Sequence, residues 1–264
     1  MRTTQRRSVI VSQLAEHGEV TISDLATTLD VSEMTIRRDL ELLELEGIAR
    51  RVRRGAISTV SRSHEPAFAI RATQATDEKR AIGRAAAELI EEGETAFVDV
   101  GTTTLELARN LAKRRRLTVV TSSIRVAAEL GHSVEIRVIV TGGTLRHGEL
   151  SLVGPSAEDP FAELNCDVAF LGVAGVDALK GLTEYNLDDT RIKRAALSSA
   201  RRCIVLADRS KLGQVALASV APLSAVDALV TDAGPDHATV AAATDMGIQV
   251  IRVDAATGTA DGAV

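Results

Sequence analysis

Apolar residues recur along the first part of the chain in steps of three and four, the signature of helices that bury one face. Over residues 5–17, Val9, Ile10 and Leu14 share such spacing, and Gly18 supplies a stop. Over residues 21–29, Ile22, Leu25 and Leu29 lie on one face, and Thr21 and Asp24 are spaced like a capping box. Asp30 and Val31 make a short turn into a third helix, residues 32–46. There Ser32 caps the first turn, Glu33 complements the helix dipole and Gly47 ends the run. Ile36, Leu40 and Leu43 form its buried stripe, which turns Thr35, Arg37 and Arg38 outward near the amino end. Two helices meeting through so tight a corner make a helix-turn-helix. Residues 48–52 are short and β-prone, Arg53, Arg54 and Gly55 make a turn, and residues 56–60 return, so the unit reads as a winged helix.

From residue 77 the pattern changes. Apolar runs at 95–100, 117–121, 136–141, 168–173, 203–207, 228–231 and 249–253 are strand candidates, and helical patterns such as 77–91 and 103–112 fall between most of them. That alternation predicts a mostly parallel α/β sheet. The chain then divides into a winged helix-turn-helix domain at 1–57, an extended connector at 58–76 containing Ser61, Ser63 and Pro66, and an α/β domain at 77–254. A small, polar tail at 255–264 is expected to be disordered.

In such sheets small anionic ligands bind beyond the carboxyl ends of strands, where loops enter helices and backbone N–H groups point outward. Asp99, Gly101, Thr102 and Thr103 follow the first strand candidate; Thr121, Ser122 and Ser123 end the next; Gly142 and Gly143, then Arg146, follow the third. Glycine lets the backbone approach a phosphate closely, and hydroxyls and amides can surround it. Taken singly, each loop reads more simply as an ordinary helix cap. Repetition at consecutive strand ends is what points to one phosphate-sized site. No Gly-Lys-Ser/Thr follows, so a nucleoside triphosphate is not implied.

Composition narrows the partners. At 264 residues, 45% hydrophobic and 25% charged, the chain is long enough for one small and one larger domain. Aromatics at 2%, with no Trp, disfavour a base-stacking binder of single strands. Residues 1–57 hold nine arginines against nine acids, so the domain is not basic overall. Its positive charge is instead concentrated at Arg37 and Arg38 on the third helix and at Arg50, Arg51, Arg53 and Arg54 on the wing. A solvated face is the bland account of such runs; their placement on one helix and its adjoining wing favours the phosphates of duplex DNA. Cys166 and Cys203 lack C-x-x-C spacing and sit in apolar runs, so buried free thiols are expected. The histidines are scattered, and neither a metal nor a cofactor is expected. No apolar signal core is present and no apolar run approaches the roughly 18 residues of a membrane helix, so the expected location is the cytoplasm, away from membranes.

The stretch QRRSVIVSQLAEHGEVTISDLATTLDVSEMTIRRDLELLELEGIARRVRRGA, residues 5–56, resembles the N-terminal domain of the DeoR family of bacterial transcription regulators, most specifically in S-x-x-T-I-R-R-D-L. Arg54 stands where that family usually has a second wing glycine. VDVGTTTLELA, VVTSS, VTGGTLR, FLGVAGVDALKGLTEYN, RIKRA and LADRSKLG resemble its effector domain, which is similar in fold to ribose-5-phosphate isomerase. The resemblance implies that Asp99 holds sugar hydroxyls, that Thr102, Thr103, Thr121, Ser122 and Ser123 meet a phosphate, and that Lys193 and Lys211 are cationic partners. Ser122 replaces the usual asparagine. Asp177, Glu184, Lys193 and Asp208 could nominally serve isomerase chemistry. Ala174, however, occupies the place of the first acid of a close pair, so Asp177 and Glu184 read more simply as hydroxyl partners or as loop and cap residues.

The implied protein is a transcription regulator and not an enzyme: a repressor of a carbohydrate or polyol catabolic operon. It would grip double-stranded operator DNA through Thr21, Ser32, Thr35, Arg37, Arg38 and the wing arginines, and a phosphorylated sugar or polyol would release it. One such domain is insufficiently selective, so a homo-oligomer, dimer or tetramer, is implied. An isomerase-like enzyme fused to a DNA-binding domain and an architectural DNA binder without a ligand are the alternatives.

Overall fold

The computed structural model describes residues 6, 7, 9–11, 13, 14, 18–45, 48–58, 65–255 and 260–262. The chain divides into two compact units, Met1–Pro66 and Ala67–Val264.

In the first unit a helix α1, described at residues 6, 7, 9–11, 13 and 14, fully buries Ile10 and Leu14. Val9, expected on the same face, is exposed. Helix α2 (Ile22–Leu29) is capped by Thr21, whose Oγ1 accepts from Asp24 N at 3.2 Å. Asp30 then turns the chain in the left-handed region, φ 50°, into α3 (Glu33–Leu45). α3 buries Ile36, Leu40 and Leu43 as the spacing requires, and Asp39 with them. The wing is a three-stranded antiparallel sheet of β1 (Glu19–Thr21), β2 (Ala49–Val52) and β3 (Gly55–Ser58), in the order β1-β3-β2. β1 is absent from the sequence reading because its three residues run straight into the cap of α2. Gly55 is where β3 passes β1: a Cβ there would stand 1.8 Å from the Val20 carbonyl oxygen, so no side chain fits without moving backbone. Gly47 and connector residues 59–64 lie outside the described residues.

The second unit begins with α4 (Phe68–Ala72), a helical turn where an extended connector was expected. Helix α5 (Thr76–Ala87) follows, then the main sheet of eight strands. In chain order these are β4 (Thr95–Val98), β5 (Leu117–Thr121), β6 (Ile136–Val140), β9 (Cys166–Gly172), β12 (Ala200–Leu206), β14 (Ala228–Thr231), β15 (Gln249–Val253) and β16 (Ala260–Gly262). Their spatial order is β16-β15-β14-β12-β9-β4-β5-β6. All neighbours are parallel except β15 and β16. β16 corrects the expectation of a wholly disordered tail: the free edge of β15 offers unpaired backbone groups, and residues 260–262 take them up.

The long apolar runs are explained by burial on both faces. Phe97, Val120, Ala169, Leu171 and Val205 point into one core with Ala157 of α8 (Pro155–Glu158), Ile192 and Ala196 of α9 (Leu187–Ser199) and Val240 of α10 (Ala238–Asp245). The alternate residues Ala96, Val98, Val119, Val168, Phe170 and Ile204 point into the other. They meet α5, α6 (Thr102–Leu111) and α7 (Ile124–Leu130) there. Cys166 and Cys203 are buried free thiols. Two short features escaped the sequence reading. One is a hairpin of β7 (Thr144–Arg146) and β8 (Ser151–Val153); the other is a small sheet of β10 (Gly175–Asp177), β11 (Gly181–Glu184) and β13 (Ala218–Ala221).

Candidate functional site

On the winged helix, Arg37 and Arg38 are exposed, as their place opposite the apolar stripe requires. Arg37 is partly answered within its own helix, with Nη2 3.6 Å from Glu33 Oε2. No ion pair involving Arg38 occurs among the described residues, which leaves its guanidinium the more available of the two. Ser32 caps α3, accepting from Thr35 N at 3.2 Å, and its Oγ lies 2.9 Å from Thr35 Oγ1. The Thr21 hydroxyl is likewise engaged as a cap, but all three residues stay at the solvent-facing amino ends of α2 and α3, where N–H groups favour phosphate. Arg50, Arg53 and Arg54 are exposed on the wing. Arg51 differs: its backbone N donates to Glu44 Oε1 at 2.8 Å and its Nη1 lies 3.3 Å from Glu41 Oε1, tying the wing to α3.

Beneath this surface is an ion pair that the sequence reading missed. Arg6 of α1 donates to both oxygens of Asp39, Nε to Oδ2 at 2.5 Å and Nη2 to Oδ1 at 3.2 Å, with both side chains almost fully buried. Arg7 Nε lies 3.7 Å from the same carboxylate. A signal was available: Asp39 is three residues after Ile36 and four before Leu43, so the apolar period already carries it inward and a buried carboxylate requires a cation.

In the second unit, strand order reverses between β4 and β9: successive strands leave β4 toward β5 and β6, whereas β9, β12 and β14 are added on its other side. Ligands of open α/β sheets bind at such a switch point. Asp99 lies directly beyond β4, and Gly172, the last residue of β9, donates its N–H to Asp99 Oδ2 at 3.1 Å. Lys193 of α9 reaches the same place, forming an ion pair with Asp99, donating to the Gly172 carbonyl at 2.8 Å and facing Glu184 Oε2 at 3.3 Å. Three acceptors thus meet the three protons of the ammonium. Asp99, Lys193 and Glu184 are all buried.

Burial pushes the Asp99 carboxyl up, to about 6, against the opposing pull of Lys193. Burial also works against the Lys193 charge, but the Asp99 and Glu184 carboxylates outweigh it and hold the ammonium above the ordinary lysine range. The cluster therefore holds two carboxylates on one cation, a surplus of negative charge suited to hydroxyl donors and unsuited to a phosphate. Lys193, expected as a phosphate partner, instead holds the two acids in place.

The strand-end loops expected to meet a phosphate lie beside it. Gly101, at φ +142°, opens α6, a helix with no side-chain cap, and Thr102 and Thr103 form its first turn. First-turn amides without a capping side chain are a ready anion site. Thr121, Ser122 and Ser123 lie at the end of the adjacent β5, and Gly142 and Gly143 follow β6 with φ of +82° and +105°. Not every expected hydroxyl is available. Thr121 Oγ1 donates to the Val98 carbonyl at 2.7 Å and accepts from Ser123 N at 3.0 Å, while Ser123 Oγ caps α7, accepting from Val126 N at 3.2 Å. Arg146, at the end of β7, pairs with Asp189 in the first turn of α9 and donates Nε to Ser151 Oγ at 3.2 Å.

One expected residue is not brought into this group. Asp177 sits in the turn of the β10–β11 hairpin, where its Oδ1 accepts from Leu179 N and Lys180 N at 2.9 and 2.8 Å. Glu184 is at the opposite end of that hairpin, so the two acids do not form a pair. Lys211 ends a short 3₁₀ turn after β12, beside the buried Lys79, whose ammonium is pushed down to about 8, mainly by burial and despite Asp208, with the Lys211 charge adding to the effect.

If Asp99 accepts ligand hydroxyls, effector affinity should fall as the pH drops through about 6, because protonation removes the acceptor charge and loosens Lys193. Asp99→Asn should bind weakly and without that dependence. Titration calorimetry between about pH 5 and about pH 8 checks this, and parallel profiles for the two proteins would exclude the role.

Comparison with known proteins supplies the identity. The DeoR-like helix-turn-helix domain matches residues 6–62, and the DeoR C terminal sensor domain matches residues 74–233. The glycerol-3-phosphate regulon repressor of Escherichia coli (strain K12) is 34% identical over 250 residues, covering 95% of this chain and 99% of its own. The HTH-type transcriptional regulator GlpR of Haloferax volcanii is 37% identical over 232 residues, covering 88% and 91%. The HTH-type transcriptional repressor CsqR of Escherichia coli (strain K12) is 33% identical over 246 residues, covering 93% and 94%. These relatives are named as regulators, not enzymes. Among solved structures, ribose 5-phosphate isomerase A from Methanocaldococcus jannaschii covers 53% of this chain and 55% of its own at 20% identity, with a TM-score of 0.40, a likeness too partial to carry chemistry across. Matched in both of its domains, and aligned with these relatives over nearly their whole lengths, the chain belongs to the DeoR family of transcriptional regulators.

Proposed function

We propose that this regulator represses a carbohydrate or polyol catabolic operon and leaves its operator when a phosphorylated sugar or polyol occupies the crevice between β4 and β9. The observation that carries the reading is the juxtaposition at the switch point. Lys193 holds Asp99 and Glu184 as hydroxyl acceptors, and the uncapped amino end of α6 next to them offers amides to a phosphate. A ligand with hydroxyls at one end and a phosphate at the other matches both. No described helix is long and apolar enough to cross a membrane.

On DNA, α3 enters the major groove with Arg38 reading a base edge and Arg37 nearer the backbone, while Arg50, Arg53 and Arg54 hold flanking phosphates. A bidentate arginine–guanine pair discriminates by roughly 1–3 kcal/mol, so selectivity requires at least two such domains and hence a homo-oligomer. Arg38→Ala should bind a selected operator about 5-fold to about 150-fold more weakly while binding random duplex nearly as before. Competition binding against random DNA measures this; unchanged discrimination would remove Arg38 from base reading.

The whole reading is tested by selecting duplexes from a random pool with the full-length protein and screening phosphorylated sugars and polyols by thermal shift. A ligand at about 100 times its Kd should stabilise the protein by about 2.7 kcal/mol and weaken its grip on the selected duplex. Ligands that raise the melting temperature without altering DNA affinity would contradict it.

A further inference from the structure

The loops of the crevice run on into a second set of contacts. β7 starts directly after Gly143, and β8 is held to the end of β5: Leu152 N donates to the Ser122 carbonyl at 2.8 Å, and Ser123 bridges Ser151. The β7–β8 hairpin therefore continues two of the three candidate phosphate loops. On one side of it Arg146 pairs with Asp189, one helical turn before Lys193 on α9. On the other side Glu149, in the hairpin turn, pairs with Arg71 of α4, their side chains only 5% and 13% exposed. Further contacts fix α4. Lys79 Nζ donates to the carbonyls of Arg71 and Gln74 at 2.5 and 2.7 Å. The Arg125 guanidinium lies 3.9 Å from the centre of the Phe68 ring while donating to the Gly148 carbonyl of the hairpin turn at 3.1 Å. α4 is also where the chain leaves the connector and enters the effector domain.

Resting on the effector reading above, we infer that the β7–β8 hairpin is the relay between the crevice and the connector, with the buried Arg71–Glu149 ion pair as its latch. The latched arrangement is the one that binds operator. A phosphate arriving beside Ser122 and Gly143 competes with Asp189 for Arg146, because a guanidinium favours bidentate phosphate contacts and its fork cannot serve both anions in full. The hairpin then shifts, Glu149 parts from Arg71, and α4 is released. Parting the pair takes a cation from the nearly buried Glu149 carboxylate, which costs most while that carboxylate stays buried and so favours a fully closed or a fully open hairpin. That gives the two discrete states a ligand needs in order to act by differential affinity.

The test uses the full-length protein without ligand. Glu149→Gln should speed amide hydrogen exchange of residues 67–72 at least about tenfold, with β4, β5 and β9 unchanged, and should weaken binding to a duplex selected by the wild type at least about tenfold. Arg71→Glu combined with Glu149→Arg should restore both to within about threefold, which separates the latch from a folding defect. Wild-type exchange and duplex affinity in Glu149→Gln would overturn the relay, as would failure of the reversed pair to restore either. In a second arm the wild type is exposed to sn-glycerol 3-phosphate or inorganic phosphate. A probe that protects the α6 and α7 amino ends should deprotect residues 67–72; protection there with no change at 67–72 would also overturn it. If neither probe protects those ends, the effector reading fails for these two compounds, while the ligand-free variants decide the latch.

Discussion

Lys193→Met should destabilise the effector domain by about 3–5 kcal/mol at neutral pH, the cost of removing one partner from a buried ion pair. Methionine keeps the length and packing of the side chain but leaves Asp99 and Glu184 buried together with nothing between them. The pH dependence identifies the cause. Asp99 already titrates near 6 in the folded protein, above the unfolded value of about 4. A carboxyl whose folded value is raised holds a proton that the unfolded chain releases, so its contribution to stability is present at low pH and is lost as the pH rises through the folded value. Without Lys193 that value climbs further. The deficit of Lys193→Met should thus be smaller near pH 5 than near pH 8, because protonated Asp99 needs no cation. Urea unfolding of the two proteins at both pH values measures it. Equal stability at the higher pH would mean that the cluster is not the buried charge system described above.

The second large effect is expected in the other domain. Asp39→Ala strands the Arg6 guanidinium in the interior, with Arg7 close by, and should cost about 3–5 kcal/mol. Small domains are stable by only about 5–15 kcal/mol, so the winged helix should lose much of its folded population, and operator binding with it. The melting of the effector domain should not change. Calorimetry showing one transition lowered and the other fixed would bear this out, whereas full operator affinity in Asp39→Ala would rule out the pair as the pin between α1 and α3. Replacing both partners, Arg6→Met with Asp39→Leu, should recover most of the loss, since an apolar pair incurs no desolvation cost. This separates Asp39 from its neighbours Arg37 and Arg38: Asp39 would act by holding the helix, whereas the role proposed for the arginines is to meet DNA.

The sheet was legible because its strands are buried on both faces. Runs such as Val168–Phe170 with Leu171 alternate between two cores, so they show as unbroken apolar stretches, and every strand candidate after residue 77 lies in the main sheet. The three-residue strands β1, β7 and β8 are too short to establish a period. The strand-end loops were legible, because glycine and threonine at a strand end are local signals. Its partnerships were not. Lys193 meets Asp99 across 94 residues of sequence and Arg6 meets Asp39 across 33, and no spacing rule links positions so far apart. Lys193 follows the same rule: RIKRA alone does not show the two acids that its ammonium meets.

The close pass of Gly55 beneath the Val20 carbonyl bears on how such a regulator can be retargeted. Arg53 and Arg54, at the tip of the wing, are exposed, so exchanges there should spare the fold and change only how strongly the wing holds phosphate. Position 55 admits no such freedom. Even a methyl group would pry the first strand away and misalign the reading head, and any variant pool that includes it would be dominated by molecules that no longer grip any duplex.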